Sequence, residues 1–267
     1  MNSKYLQNIY AEMGQQLDPD EGYFVSDSRF LALEALLRQV PKGLFLDIGC
    51  GRGLLLRRLS DFHSCFGCDV DCGAVATCKK LGLSVCQVDL NAADELDQDF
   101  PKHFDVIVIS EVCEHLLEPR SALRFAARYL KAGGSLIVTV PNAVPLFARI
   151  PLLLGRSVDW LHYPSQDTEA TGHMRFYTIE SMSRLLSTEG FAVEVFQGVS
   201  FRMNGFFWQR LCFWPPRLLG RKDERSPTLV DGWLGRRFPG FAPGLVFSCK
   251  RQEVPSLSVE SDFPQTL

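Results

Sequence analysis

The chain has 267 residues, of which 46% are hydrophobic and 22% are charged, and its formal net charge is −3 at pH 7. This length suffices for one large domain or two small ones with a hydrophobic core, and the charge provides no global attraction to nucleic acid. The start, MNSKYLQNIYAEMG, lacks the features of a secretory signal, and prolines interrupt the most apolar region, 136–154. We therefore expect a cytoplasmic protein without a membrane span.

The first predicted helix follows a polar start that extends to Gly22. Asp27 or Ser28 can cap this helix, and Pro41 ends it. Its apolar side carries Phe30, Leu33, Leu37 and Val40. Residues 1–42 are therefore predicted to form a helical cap ahead of the main domain.

Residues 44–59, LFLDIGCGRGLLLRRL, predict a buried strand, a glycine-rich turn and the start of a helix. Gly49, Gly51 and Gly53 permit positive φ and let a ligand approach the main chain, where the amide groups of the helix start also point. This combination suits an anion or a nucleotide ribose. The third glycine comes one residue earlier than in the dinucleotide fingerprint G-x-G-x-x-G, and Asp47 precedes the turn.

Two more acids follow strand-like runs. Asp69 ends the run 65–68, and Asp89 ends the predicted strand 83–88. A carboxylate can accept both hydroxyls of a ribose, and Asp89 could accept from an adenine amino group. Because ligands bind at the carboxyl ends of strands in open α/β sheets, three successive strands are predicted to deliver acids to one site.

The next strand, 104–109, ends at the sequence SEVCEH. Glu111 and His115 are four residues apart, so one helical turn would place them on the same side, and His115 could act as a general base. The alternative is that Glu114 and His115 hold the loop and the helix cap through hydrogen bonds.

The second half of the chain predicts further alternation of helices and strands. A helix begins near Pro119 and ends at Gly133 and Gly134, and a strand follows at 135–140. Thr178 caps another helix that Gly190 ends, and strands are predicted at 191–199 and 245–250. Residues 143–175 resemble a substrate-covering insertion, with Trp160, His162, Tyr163, His173 and Arg175 in or beside it.

Residues 200–244 form a second insertion, rich in aromatic residues and arginines. Residues 206–237 are a candidate for peripheral membrane contact or for binding a lipid-linked acceptor, and the alternative is an extra packed lobe with solvated arginines. The tail 253–267 is predicted to be disordered.

Cys65 and Cys68, with His63 nearby, raise the question of a metal or redox site. On one strand their odd separation places them on opposite faces, where they cannot share a metal. We expect small apolar core residues in a reduced protein, and no metal.

The motifs LDIGCGRG, Asp69, Asp89-Leu90, FDVIVISEVCEHLLEPRSALRFAARYLKAGGSLIVTVPN and GHMRFYTIESMSRLLSTEGF occur in this order. Together they resemble the class I S-adenosylmethionine-dependent methyltransferases, in the small-molecule branch near quinone-biosynthesis and sugar or lipid enzymes. The resemblance covers residues 44–196. It implies a Rossmann-like doubly wound α/β fold whose seven-stranded sheet is mostly parallel, with an antiparallel last strand and helices on both faces.

The resemblance also implies roles for individual residues. S-adenosylmethionine is the expected cofactor. In the family a segment ahead of the domain commonly closes over it, which makes Tyr10, Tyr23 and Phe24 lid candidates; the alternative is that they are surface aromatic residues on a docked helix. His173 matches the family pattern H-x-R-F-[FY]-T, which makes it a catalytic candidate beside His115; the alternative is that His173 is a buried, hydrogen-bonded histidine. The cofactor-binding candidates are Asp47, Gly49, Cys50, Gly51, Gly53, Asp69, Val70, Asp89, Leu90, Ser110 and Glu111.

The predicted function is transfer of a methyl group to a small-molecule, saccharide or lipid-linked acceptor. A base is useful if the acceptor is a hydroxyl and unnecessary if it is an amine or an activated carbon. Two alternatives are a non-catalytic protein that binds S-adenosylmethionine as a scaffold and an NAD-linked oxidoreductase. The early third glycine and Asp89 disfavour the oxidoreductase.

Overall fold

The computed structural model describes residues 28–92, 95–155, 173–199 and 229–252. Several expectations fall outside these ranges. They concern the lid candidates Tyr10, Tyr23 and Phe24, the insertion residues Trp160, His162 and Tyr163, residues 200–228, and the tail 253–267.

The described residues alternate between helices and strands, as the motif order predicts. The helices are α1 (Ser28–Leu37), α2 (Leu54–Leu59), α3 (Cys72–Lys80), α4 (Arg120–Tyr129), α5 (Leu146–Leu153), α6 (Ile179–Thr188) and α7 (Leu229–Arg237), with a 3₁₀ turn at Pro239–Phe241. The strands are β1 (Leu44–Ile48), β2 (Ser64–Asp69), β3 (Ser84–Gln87), β4 (Phe104–Ser110), β5 (Leu130–Pro141), β6 (Phe191–Val199) and β7 (Gly244–Arg251).

The strands of the described chain form one seven-stranded sheet in the order β3-β2-β1-β4-β5-β7-β6. The pairs among β1 to β5 are parallel, and β7 lies antiparallel between β5 and β6. The predicted Rossmann-like, mostly parallel sheet with an antiparallel last strand is therefore confirmed. Because parallel strands share their direction, the ends of β1 to β5 meet at one edge, called here the carboxyl edge.

Two hydrophobic layers cover the sheet. One contains buried residues of α4 and α6, such as Leu123 and Met182, and the other contains residues of α1, α2 and α3, such as Leu37, Leu56 and Val75. Within the described part of the chain, no helix is long and apolar enough to span a bilayer.

Alternation along β2 separates the two cysteines as expected. Cys68 belongs to the layer with α4 and α6, and Cys65 packs against the opposite layer. The ring of His63 receives the Gly43 amide at Nδ1, 3.3 Å away, and its Nε2 lies 3.1 Å from the Leu37 carbonyl. Both ring nitrogens therefore serve the junction of α1 with β1.

The boundary between α4 and β5 differs from the prediction. The helix ends at Tyr129, because the fully buried Leu130 turns to an extended conformation and pairs with Phe104. Gly133 and Gly134, which were expected to stop the helix, lie within β5, where the register shifts before Val106 meets Ser135. Burial of Leu130 thus overrides the local glycine signal.

The first helix also ends earlier than predicted, at Leu37 and not at Pro41, whereas the boundaries of α6, β6 and β7 agree closely with the prediction. Thr178 caps α6 in a capping box with Ser181, and Gly190 follows the helix with φ of +84°. The strand at Phe191–Val199 is as predicted, and β7 is one residue longer at each end than the predicted 245–250.

Candidate active site

The glycine-rich turn joins β1 to α2 at the carboxyl edge. Gly49, Gly51 and Gly53 all have positive φ, and Gly53 is the residue that begins α2 in a left-handed conformation. A side chain at Gly49 would collide with Val112, which lies in the loop after β4. Glycine at 49 therefore lets two loops of the carboxyl edge pack directly against each other.

Cys50 in this turn packs against the end of α3. The thiols of Cys50 and Cys78 both donate to the Gly51 carbonyl, at 3.8 Å and 3.3 Å. A Cβ at Gly67 would approach the Cys50 sulfur to 2.8 Å, so this space admits only a small side chain. The structure thus gives Cys50 a packing role.

Asp69, at the end of β2, holds the glycine turn. One carboxylate oxygen accepts the Gly51 amide at 2.7 Å, and the other accepts the Asp71 amide at 2.9 Å. Burial raises the pKa of this carboxyl, while the amide hydrogen bonds oppose the shift. Each oxygen retains acceptor capacity, so the carboxylate is positioned to receive two hydroxyls.

Asp47, within β1, is 4% exposed and lies near Asp69. Burial, with repulsion from Asp69 as a smaller cause, raises its pKa to about 7. A cationic ligand at this edge would favour the ionised form.

Asp89 follows β3 and is 9% exposed. Its carboxylate accepts the Asn91 amide at 2.9 Å, and Leu90 packs against the hydrophobic layer. Val70 accepts from the Gln87 side chain through its carbonyl. The predicted cofactor residues after β1, β2 and β3 thus line one edge, and their contacts with a cofactor remain predictions.

Glu111, directly after β4, is the one non-glycine residue of the described chain with positive φ, at +55°. Its carboxylate accepts from Arg29 of α1 at 2.6 Å and from Thr139 of β5 at 2.9 Å. The Ser110 hydroxyl lies 2.9 Å from that of Thr139. Sequence reasoning missed Arg29 and Thr139, because nothing in their local sequence indicates a partner so far away in the chain.

The loop after β4 is not the helical turn that would place Glu111 beside His115. The His115 amide instead bonds to the Val112 carbonyl at 3.0 Å, closing a tight turn. Glu111 faces Arg29, whereas His115 faces Glu114 and His173. The helical turn that was expected to place Glu111 and His115 on the same side is therefore not formed.

Glu114, His115 and His173 form a cluster, called here the Glu-His-His cluster. Oε1 of Glu114 lies 4.0 Å from Nε2 of His115 and 3.9 Å from Nε2 of His173, and the two imidazole centroids are 4.8 Å apart. The Glu114 side chain is fully buried, and both histidines are partly exposed. Burial raises the pKa of Glu114 well above its ordinary value, with repulsion from Glu111 as a second cause.

The alternative expectation, that Glu114 and His115 hold the loop and the helix cap through hydrogen bonds, is met in part, by main-chain bonds of the loop and not by the Glu114 carboxylate. Neither carboxylate oxygen has a hydrogen-bond partner among the described residues, and α4 begins at Pro119 without a side-chain cap. The main-chain carbonyl of Glu114 accepts the Met174 amide at 2.8 Å, and this hydrogen bond joins the loop to the segment that carries His173.

The segment that carries His173 is fixed to the carboxyl edge by backbone and side-chain bonds. Tyr177 pairs with Asn142 after β5, and its hydroxyl donates to the Cys113 carbonyl at 3.1 Å. Arg175 donates to the Leu117 carbonyl at 3.0 Å. The two predicted catalytic histidines, 58 positions apart in sequence, are thereby brought into contact next to the loop that touches Gly49.

A family model described as a methyltransferase domain matches residues 26–194. The human mitochondrial ubiquinone biosynthesis O-methyltransferase is 26% identical over 175 residues, which are 61% of this chain and 45% of that protein. The Xanthomonas campestris (strain B100) ubiquinone biosynthesis O-methyltransferase is 32% identical over 111 residues, 40% of this chain and 46% of that one. The chain therefore spans less than half the length of these curated relatives.

Solved structures match this chain over most of its length, although their sequence identity to it is low. An S-adenosylmethionine-dependent methyltransferase from Thermotoga maritima has a TM-score of 0.60 and 17% identity, with 92% of this chain and 99% of that chain covered. Magnesium protoporphyrin IX methyltransferase from Synechocystis PCC 6803, solved with bound SAH, has a TM-score of 0.55 and 13% identity, with 94% and 98% covered. The family match agrees with the sheet order, the glycine turn and the acidic strand ends. The chain therefore belongs to the methyltransferase-domain family and is a class I S-adenosylmethionine-dependent methyltransferase.

Proposed function

We propose that this protein methylates an oxygen atom of a small hydroxylated acceptor that carries an apolar part. The observation that supports it most directly is the Glu-His-His cluster, of which Glu114 and His115 lie on the loop that packs against the glycine turn. Two of the curated relatives are named as ubiquinone biosynthesis O-methyltransferases, which favours an oxygen acceptor over an amine or a carbon.

The cofactor supplies an activated methyl group, so the protein's task is mainly to align the acceptor and exclude water. In the proposed arrangement Asp69 accepts the ribose hydroxyls and Asp89 accepts from the adenine amino group. Asp47 and Glu111 lie towards the charged methionine end. Val112, which packs against Gly49, belongs to the same loop as Glu111, Glu114 and His115.

The acceptor hydroxyl must lose its proton as the new carbon–oxygen bond forms. His115 and His173 are partly exposed, and imidazole titrates near neutral pH, so the cluster is a suitable place for that proton to go. An ionised Glu114 carboxylate, 3.9–4.0 Å from a nitrogen of each ring, would attract an imidazole that has taken up this proton.

The apolar part of the acceptor has a candidate surface at the same edge. Leu152, Leu153 and Leu154, at and after the end of α5, and Trp233 of α7 are exposed apolar side chains. They flank the 3₁₀ turn, where Arg149 stacks over Phe241 at 4.4 Å. A lipid-linked acceptor would therefore find an apolar surface beside the proposed site.

Transfer of labelled methyl from S-adenosylmethionine to a panel of phenols with and without an apolar tail, with matched amines, tests the proposal. We expect O-methyl products, favoured by the tail, and loss of turnover in His115→Asn and His173→Asn. His103→Asn, an exposed histidine ahead of β4, is the matched control. Products only on nitrogen, or full activity in both histidine variants, would refute the proposal.

Calorimetry with S-adenosylmethionine tests the cofactor roles separately from the acceptor. Asp69→Ala is expected to weaken binding by about 2–4 kcal/mol, because a charge-assisted pair of hydrogen bonds is lost. Asp61→Asn is the control, since Asp61 is exposed and pairs with Arg38. Unchanged affinity in folded Asp69→Ala would exclude the ribose role, and cofactor binding without turnover on any acceptor would favour a scaffold.

A further inference from the structure

The position of the Glu114 side chain is energetically unfavourable for a carboxyl group. It is fully buried, and neither of its oxygens has a hydrogen-bond partner among the described residues. A buried carboxyl without hydrogen bonds costs free energy in proportion to its lost hydration. Such a group in a folded protein indicates a partner that the described residues do not supply.

The surroundings of Glu114 identify the kind of partner. The carboxylate of Glu114 and the ring nitrogens of His115 and His173 all lie within 4.8 Å of one another. The ligand atoms come from two chain segments, and the hydrogen bond from the Met174 amide to the Glu114 carbonyl fixes one segment against the other. Two imidazoles and a carboxylate around one point are a donor set for a metal ion.

We propose that Glu114, His115 and His173 bind a divalent first-row transition metal ion, such as Mn²⁺, Fe²⁺ or Co²⁺. Two imidazoles with one carboxylate favour such ions, whereas Mg²⁺ prefers oxygen ligands. The second carboxylate of this loop, Glu111, is already held by Arg29 and Thr139 and is not a ligand in this assignment. This proposal revises the expectation, drawn from the sequence, that the protein holds no metal.

Binding requires a small contraction of the cluster. Metal bonds to imidazole nitrogen and carboxylate oxygen are about 2.0–2.2 Å long, so the ligand atoms must approach one another by about 1 Å. The partly exposed imidazoles can make this movement by side-chain rotation, because the rotation leaves the Met174–Glu114 backbone bond intact. Glu114, fixed in the core, then gains the partner that it lacks.

Metal binding itself does not depend on the proposed function; only the role of the metal in methyl transfer rests on it. Three protein ligands leave coordination positions open to oxygen atoms of an acceptor, and a metal there would lower the pKa of a bound hydroxyl. In that form the histidines are ligands and not bases. Acceptors with two neighbouring oxygen atoms would then be preferred.

Calorimetric titration of the full, tag-free, chelator-treated chain with Mn²⁺, Co²⁺ or Mg²⁺ tests the site without cofactor or acceptor. We expect one ion per chain, with Mn²⁺ and Co²⁺ bound at least about 100-fold more tightly than Mg²⁺. The visible spectrum of the Co²⁺ form reports nitrogen and oxygen ligation. Mn²⁺ avoids competition from the thiols, which prefer softer metals.

Glu114→Gln and His173→Asn should each lower the Mn²⁺ affinity by about 100-fold or more, whereas Glu118→Gln, an exposed acid of the same loop, should not change it. Circular dichroism and thermal melting verify that each variant is folded. Absence of Mn²⁺ and Co²⁺ binding by the folded chain overturns the proposal, as does an equal loss in Glu111→Gln, which would change the ligand set. Metal binding without methyl transfer would refute the proposed function and leave this inference standing.

Discussion

At the scale of single residues, the candidate site contains acidic side chains that are buried in the protein without a ligand. Asp47 is the clearest case, because burial raises its pKa to about 7. In the unfolded chain an aspartate titrates near pH 4. Between about pH 4 and pH 7 the folded protein therefore retains a proton that the unfolded chain releases, so Asp47 makes the protein less stable as the pH rises through this window.

We predict that Asp47→Asn makes the cofactor-free protein more stable than the wild type at pH 8. The difference, at most about 4 kcal/mol from a shift of about three pKa units, should shrink as the pH falls and vanish near pH 4. Urea denaturation of both proteins at several pH values measures it. Asp61→Asn should show no such gain, because its pairing with Arg38 lowers the pKa of Asp61; a pH-independent difference for Asp47→Asn would contradict the assignment.

At the scale of secondary-structure elements, the sequence predicts what local chemistry determines. The glycine turn, the Thr178 cap and the alternation of Cys65 and Cys68 all follow from residue type and spacing. Contacts between distant segments could not be predicted in this way. Because Leu130 pairs with Phe104, α4 ends several residues before the predicted position. The ion pair of Arg29 with Glu111 joins residues 82 positions apart.

In the candidate site, too, features set by local sequence could be predicted, and contacts between distant segments could not. The position of Asp69 and Asp89 at the carboxyl edge could be predicted, because each stands at the end of a strand-like run. Glu114 could not be singled out, since only its complete burial among two imidazoles distinguishes it from an ordinary loop glutamate. The family pattern located His173, and the hydrogen bond from Met174 to Glu114 explains why this histidine reaches the loop.

The Arg29–Glu111 ion pair connects α1 to the ends of β4 and β5. Arg29→Ala is expected to destabilise the protein by only about 1 kcal/mol, because the pair is partly exposed. Hydrogen exchange in α1 should accelerate, and S-adenosylmethionine affinity should fall about tenfold as Glu111 loses its positioning contact. Arg38→Ala, which removes the ion pairs with Glu34 and Asp61 just after the same helix, is the control; equal effects of both substitutions on cofactor affinity would contradict a specific role for Arg29.

At the scale of the whole molecule, exposed apolar side chains are concentrated beyond the ends of β5 and β6. Leu153 is 87% exposed and Leu154 is 65% exposed, and Trp233 of α7 is 55% exposed. Arg236 and Arg237 end α7, and Arg237 stacks over Phe238 at 5.1 Å. Apolar side chains bordered by arginines are typical of a surface that touches an anionic membrane.

We predict that the protein sediments with vesicles of anionic phospholipid and much less with neutral vesicles. Replacing both Leu153 and Trp233 by serine should reduce the bound fraction several-fold, because the buried apolar area is lost, while S-adenosylmethionine affinity stays unchanged. Leu81→Ser is the matched control, since Leu81 is 53% exposed but lies in the turn before β3, at the opposite edge of the sheet. Equal binding of the double variant and the wild type would exclude this surface, and the acceptor would then have to reach the Glu-His-His cluster from solution.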